Sequence, residues 1–187
     1  MALTYQDKFT VFQFECDPWD RMTPGAALRR IQECSTAQCE QLGLNEELYK
    51  RTHTVFLLSR TSLEVERMPS IGDEVTIETR AYMPHRAVYQ RMTTLYDESG
   101  AKLCEADARW VLVDTNTWRI LRRGPEGFST PMTAPPGAEE HPLEVPPQGH
   151  LPPGTELRAR YTLCDRNGPA TNSRYGAILF DAPAAET

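Results

Sequence analysis

The sequence is short of positive charge. Lys and Arg number 20 against 26 Asp and Glu, a net charge of −6 over 187 residues. That balance argues against a general nucleic-acid binder, which needs a basic face for phosphates. Long apolar runs are missing too: none nears the roughly 18 residues that mark a membrane-spanning helix. The N-terminus carries no basic-then-apolar leader, so neither secretion nor membrane insertion is expected. Cysteines number five, an odd count without close pairs. Reduced thiols in a cytoplasmic protein are therefore expected rather than a disulfide framework. There is no zinc spacing, no other metal cluster, no phosphate loop and no dinucleotide fingerprint, so no metal or cofactor is expected.

What the chain does have is a core. Hydrophobic residues make up 40%, too many for wholesale disorder. The stretch Thr23–Gly43 predicts one long helix. Thr23 suits the N-cap, Pro24 the first helical position, and Gly43 a left-handed end. Leu28, Ile31, Cys34, Ser35, Gln38 and Leu42 share one face at helical spacing, widened by Ala27, Ala37 and Cys39. Strands surround this helix in the sequence. Lys8–Glu15 reads as the first, and Cys16 to Asp20 as a turn. A short helical turn at Asn45–Lys50 precedes a long strand, His53–Met68. Within it Phe56, Leu58 and Arg60 are expected on one face and Val55, Leu57 and Ser59 on the other. Glu74–Met83, Ala87–Tyr96 and Ala101–Asp114 follow, separated by Pro84 and by the Asp97–Gly100 turn. Trp118–Arg122 reads as a short edge strand. One helix enclosed by one antiparallel sheet, an α+β layer, is the arrangement these elements predict.

The composition then changes. Residues 124–154 contain nine prolines and read as a stiff linker. Thr155–Cys164 reads as a strand, residues 165–169 as a turn, and Ala170–Phe180 as the start of a helix. This predicts three segments: a domain at 1–123, a linker at 124–154, and a partial second unit at 155–187. Two phrases echo each other. Phe14-Glu15-Cys16-Asp17 and Thr162-Leu163-Cys164-Asp165 each end an expected strand ahead of a turn and a helix.

Several runs resemble the acyl-acyl carrier protein thioesterases of plants and bacteria. They are Gln32-Glu33-Cys34-Ser35, Phe56 to Arg60, Glu64 to Pro69, Gly72 to Thr79 and Arg109 to Asp114. The resemblance covers roughly residues 5–180. It implies a hot-dog fold, an antiparallel sheet wrapped around a long central helix. The family carries two such units, the first shaping the acyl pocket and the second supplying catalytic groups. On that basis Ile31, Cys34, Phe56 and Leu58 are expected to bind substrate. The family's second-unit signature is Asp-x-Asn-x-His-Val-Asn-Asn-x-x-Tyr. It meets Asp165, Asn167, Asn172 and Tyr175 here, but Pro169 takes the histidine's place and Thr171 that of the first paired asparagine. A further acidic residue of the family falls beyond residue 187, so the second unit is expected to be truncated and its activity weak.

Hydrolysing a thioester requires an activated water and a donor for the oxyanion. Asp165 and Asn167 near a helix start suit those roles, although the same residue types also form ordinary Asx turns. Asp17 and Asp20 are candidates on the first unit, with capping as the alternative. His53 and His85 are candidate bases, with a surface position as the alternative. Cys34 and Cys39 read as small core residues. An acidic acyl carrier protein needs a local basic patch on an acidic partner. Arg29, Arg30, Arg122 and Arg123 are the docking candidates, and simple solvation is the alternative. The expected function is release of fatty acid from acyl carrier protein in fatty acid biosynthesis. A catalytically impaired acyl-binding or scaffold module and an acyl-CoA thioesterase are the competing readings. The strand at 156–163 is expected either to add to an edge of the first unit's sheet or to pair with a second copy of the chain, with a homodimer favoured.

Overall fold

A computed structural model describes residues 4–125, 156, 158, 160–164 and 171–181, the last three through their backbone only. The long helix, α1 (Pro24–Gln41), starts where its signals place it. The Thr23 side chain accepts from the Ala26 N–H at 3.2 Å. Gly43, at φ 77°, follows the C-cap in the left-handed region that glycine reaches without a Cβ clash. A second helix, α2 (Glu46–Thr52), is capped by Asn45, whose side chain accepts from the Leu48 N–H at 3.0 Å.

The sheet comprises β1 (Thr4–Thr10), β2 (Thr54–Val65), β3 (Glu74–Ala81), β4 (Val88–Tyr96) and β5 (Lys102–Asp114). Its order is β1-β3-β4-β5-β2, antiparallel throughout. Pairing of Ile77 with Leu95 and of Thr93 with Ala106 fixes which side chains meet α1. Val75, Ile77, Leu95, Cys104 and Ala106 close with Ala26, Ala27, Ile31 and Cys34 into one dry core. Burial of these apolar side chains, roughly 1.5–3 kcal/mol for each large one, holds α1 against the sheet. A bulge interrupts β2 between Leu58 and Arg60. It reverses the alternation, so Arg60 leaves the face occupied by Phe56 and Leu58, and Leu63 joins the core instead.

Three expected elements differ. The first strand ends at Thr10, and Gln13–Glu15 form a single 3₁₀ turn. The physical reason is Glu15: its carboxylate accepts from the Phe12 N–H and from Arg30, a local closure incompatible with extended backbone. Ile120 makes only an isolated bridge to Val113 in place of an edge strand. The described residues of Thr155–Cys164 lie in no strand; Tyr161–Leu163 form a 3₁₀ turn. The proline-rich linker falls almost wholly outside the described residues.

The echo between Cys16 and Cys164 is structural. Both cysteines close a 3₁₀ turn through their N–H, to Gln13 O at 3.1 Å and Tyr161 O at 3.2 Å. Both thiols donate four residues back, to Phe12 O at 3.5 Å and Arg160 O at 3.6 Å. In each case a helix begins eight residues later, at Pro24 and at Asn172, the start of α3 (Asn172–Asp181). The two helices pack together. A Cβ on Gly176 would lie 2.9 Å from Leu28 Cδ1 and 3.5 Å from Gly25 Cα. Two glycines thus permit a close approach that larger side chains would prevent.

Candidate functional site: a cavity beside the central helix

The inner face of the sheet changes character along its strands. One end is the dry core. Toward the other, α1 and the sheet part, and α2 roofs the gap, leaving a cavity of about 1110 Å³. Small-ligand pockets run to about 300–1,000 Å³. Aromatic groups form its sheet-side wall. Phe56 packs edge-on against Tyr49 (6.2 Å between centroids) and against Tyr89 (4.9 Å). Tyr89 pairs across the strands with Trp110, and Trp110 with Leu58. Burial raises the ionisation of both Tyr49 and Tyr89 above the ordinary phenol value, so both are neutral at physiological pH. From α1 come Gln32, Ser35, Thr36 and Cys39; Thr171, just before α3, completes the wall.

Two cations line this cavity: Lys50, which is exposed and paired with Glu46, and Arg91, which is buried. Arg91 of β4 is 7% exposed. Its guanidinium donates to Gln38 Oε1, to Thr79 Oγ1 at 3.1 Å and to Cys39 Sγ at 3.4 Å. Thr79 in turn shares a 2.8 Å hydrogen bond with Thr93. Burial pushes the Cys39 thiol up, and the nearby Arg91 charge pulls it partly back. Trp110 adds a buried indole N–H with no hydrogen-bond partner among the described residues.

The expected site residues fall in different places. Phe56 lines the cavity. Leu58 is half-buried beside it on β2, and Ile31 and Cys34 belong to the dry core. Burial pushes the Cys34 thiol up to about 12, a neutral packing group. Arg30 is tied into a bidentate ion pair with Glu15 at 2.7 and 2.9 Å and lies 4.4 Å from the Phe9 ring centroid. Arg29 is half-buried, while Arg122 and Arg123 are exposed. Asp17 accepts from the Trp19 and Arg21 N–H groups within the turn, while the helix cap, the alternative weighed for it, is supplied by Thr23. Asp20, at φ 60°, offers its carbonyl to the Ile71 N–H. His53 is exposed at the left-handed C-cap of α2, on the cavity's rim, and His85 is exposed in the β3–β4 connection. Asp165 and Asn167 lie outside the described residues. Arg91 escaped sequence reasoning. Its signal was a charged residue at an inward register of β4, between Tyr89 and Thr93.

An antiparallel sheet wrapped on one helix, with a cavity at the helix's C-terminal half, defines the hot-dog fold of thioesterases. The chain belongs to the acyl-ACP thioesterase family (ACP, acyl carrier protein): residues 2–129 match the acyl-ACP thioesterase N-terminal domain. It is 25% identical over 128 residues to oleoyl-acyl carrier protein thioesterase 1, chloroplastic, of Arabidopsis thaliana. That match takes in 65% of this chain and 35% of the relative, about a third of its length. Solved structures agree on the fold. The 12:0-ACP thioesterase of Umbellularia californica superposes with a TM-score of 0.83 at 20% identity, covering 98% of this chain and 76% of that one. An acyl-ACP thioesterase from Bacteroides thetaiotaomicron gives 0.80 at 21%, covering 95% and 72%. No described helix is long and apolar enough to cross a membrane.

Proposed function

We propose that this protein hydrolyses the thioester of a fatty acyl-acyl carrier protein to free fatty acid, with the acyl chain seated in the cavity between α1, α2 and the sheet. The observation that carries this reading is the cavity's aromatic wall, Tyr49, Phe56, Tyr89 and Trp110, within the part of the chain that matches the family. Water attacks the acyl carbon, a C–O bond forms, the C–S bond breaks, and the carrier thiol leaves with a proton. By the family resemblance Asp165 takes the water's proton and the Asn167 amide donates to the developing oxyanion. Exposed Arg122 and Arg123 fit docking of an acidic carrier; Arg30 is already paired with Glu15. A second reading, an acyl-binding module with little turnover, is favoured by one residue: Pro169 has no side chain able to transfer a proton.

Stopped-flow release of thiol from acyl-carrier-protein and acyl-CoA substrates tests the proposal. Carrier-linked substrates should react faster, and Asp165→Asn should lower kcat by about 10²-fold or more. Tight binding of acyl carrier protein without release would support the module instead. Faster release from acyl-CoA would move the substrate assignment to coenzyme A.

A further inference from the structure

The two ends of the sheet differ in charge. Strand register decides which connections meet at each end. Thr54 pairs with Asp114, Val88 with Val111 and Ala81 with Arg91. The α2–β2 turn, the β3–β4 connection and the stretch after β5 therefore lie together. Adjacent strands are roughly 4.8 Å apart, which brings the three connections within about 10–15 Å. The Thr115 N–H donates to the His53 carbonyl at 2.8 Å across two of them. All three supply exposed arginines: Arg51, Arg86, Arg119, Arg122 and Arg123. Of the acidic groups here, Glu46 is paired with Lys50, the Asp114 carboxylate is taken up by Asn116 and Thr117, and Glu47 is exposed. The opposite end exposes Glu64, Glu66, Glu74 and Glu98, and two of its cations, Arg67 and Lys102, are paired with carboxylates. A chain of net charge −6 thus presents one basic end.

Two further observations mark that end as a binding surface. Trp118 is 69% exposed and stands at φ 55°, a left-handed conformation that a bulky side chain rarely adopts. An ordered turn holds it there: its N–H donates to the Asp114 carbonyl at 2.8 Å, and the Asp114 side chain accepts from the next two residues. Trp and Arg are the residue types that concentrate binding energy at protein interfaces. The cavity also reaches this end, where Lys50, His53 and Thr115 line it. Arg29 and Arg30 belong to the other end. They lie in the first half of α1, whose entry is tied there by the Met22 N–H donating to the Pro69 carbonyl at 2.8 Å.

We infer that this basic end is the docking face for the acidic carrier, which delivers its acyl chain into the cavity past His53 and Thr115. The inference rests on the carrier-linked reading of the function. Arg51, Arg86 and Arg119 join Arg122 and Arg123 in attracting the carrier's carboxylates, and Trp118 supplies the apolar contact among them. Arg29 and Arg30 take no part. The acidic end repels the same partner, so the field of the whole molecule turns the cavity rim toward it.

Calorimetric titration with two uncleavable probes tests this, NH replacing the thioester sulfur in each. One is an acyl carrier protein bearing a lauroyl amide arm; the other is the lauroyl pantetheine amide alone. The native protein should bind the carrier-borne chain at least about tenfold more tightly than the free amide, an advantage that shrinks as salt rises. The double variant Arg119→Glu, Arg122→Glu should remove most of that advantage and leave the free amide unchanged. Arg51→Glu, on a different connection, and Trp118→Ala should each lower it several-fold. Arg21→Glu reverses an exposed charge at the acidic end, beside Ser70, and should change neither probe. Equal binding of the two probes overturns the inference and leaves the acyl cavity standing. So does a carrier affinity unchanged in the basic-end variants, or lowered as much by Arg21→Glu. Sedimentation with vesicles containing phosphatidylglycerol covers the other occupant: vesicle binding lost in the basic-end variants, with carrier affinity unchanged, overturns the inference and assigns this end to a membrane surface. Failure of both probes to bind rejects the carrier-linked reading and the inference together.

Discussion

Replacing Glu15 by Gln tests how the turn before α1 is held. Glu15 is 5% exposed and accepts three hydrogen bonds, two from Arg30 and one at 3.0 Å from the Phe12 N–H. Gln keeps the shape but loses the charge, and its NH₂ must face one of those donors. Breaking a fully buried pair from one side costs about 3–5 kcal/mol. Arg30 is 28% exposed and lies over the Phe9 ring, so water and the aromatic face retain part of its stabilisation. A loss of about 2 kcal/mol is therefore expected at neutral pH, or roughly 4–8 °C in Tm. The pH dependence has a definite sign. Burial pushes the Glu15 carboxyl up, but the bonds from Arg30 and Phe12 outweigh it and hold the group below its ordinary 4.5. Its contribution is complete above about 4.5 and is lost as pH falls through the depressed folded value. Urea melts followed by circular dichroism from pH 7 to pH 3 should show the native and Glu15→Gln curves converging on the acid side. A difference below about 0.5 kcal/mol at pH 7, or one independent of pH, refutes the reasoning.

Other expectations follow from single contacts. Asn45→Ala removes the α2 cap and should destabilise by about 1 kcal/mol in urea melts. Ile31→Asp places an unpaired carboxylate in the dry core and should cost several kcal/mol; unfolding like that of the native protein would reject the placement of α1. Ser35→Leu enlarges a buried side chain on the cavity wall, so the longest acyl probe bound in calorimetry should shorten.

The helix was legible because its signals are local: Thr23, Pro24 and Gly43 act within a turn of where they stand. Clean alternation through Val75, Ile77 and Thr79 likewise marked β3. Long-range partners were not legible. Nothing near Glu15 in sequence announces Arg30, so the run of Phe9, Val11, Phe12 and Phe14 read as one strand. The β2 bulge, invisible in a period-two pattern, moved Arg60 to the other face. Arg91 drew no expectation from the sequence, since its burial depends on Gln38, 53 residues away. Phe56 lies in the cavity wall, whereas Ile31 and Cys34, expected with it from the same resemblance, belong to the dry core; a helix pattern marks a buried face without separating core from cavity. The paired Cys-Asp phrases were enough to mark two equivalent turns, although the backbone there is 3₁₀ rather than extended.

On the proposed function, this cavity holds the acyl chain of a carrier-linked thioester while it is hydrolysed. The most direct test of that reading is release of free fatty acid from a series of acyl-acyl carrier proteins of increasing chain length, compared between the native protein and Ser35→Leu. Chain-length-dependent release, with the optimum moved to shorter chains in the variant, is the expected result. No release from any chain, or a length profile identical in the two proteins, would contradict it.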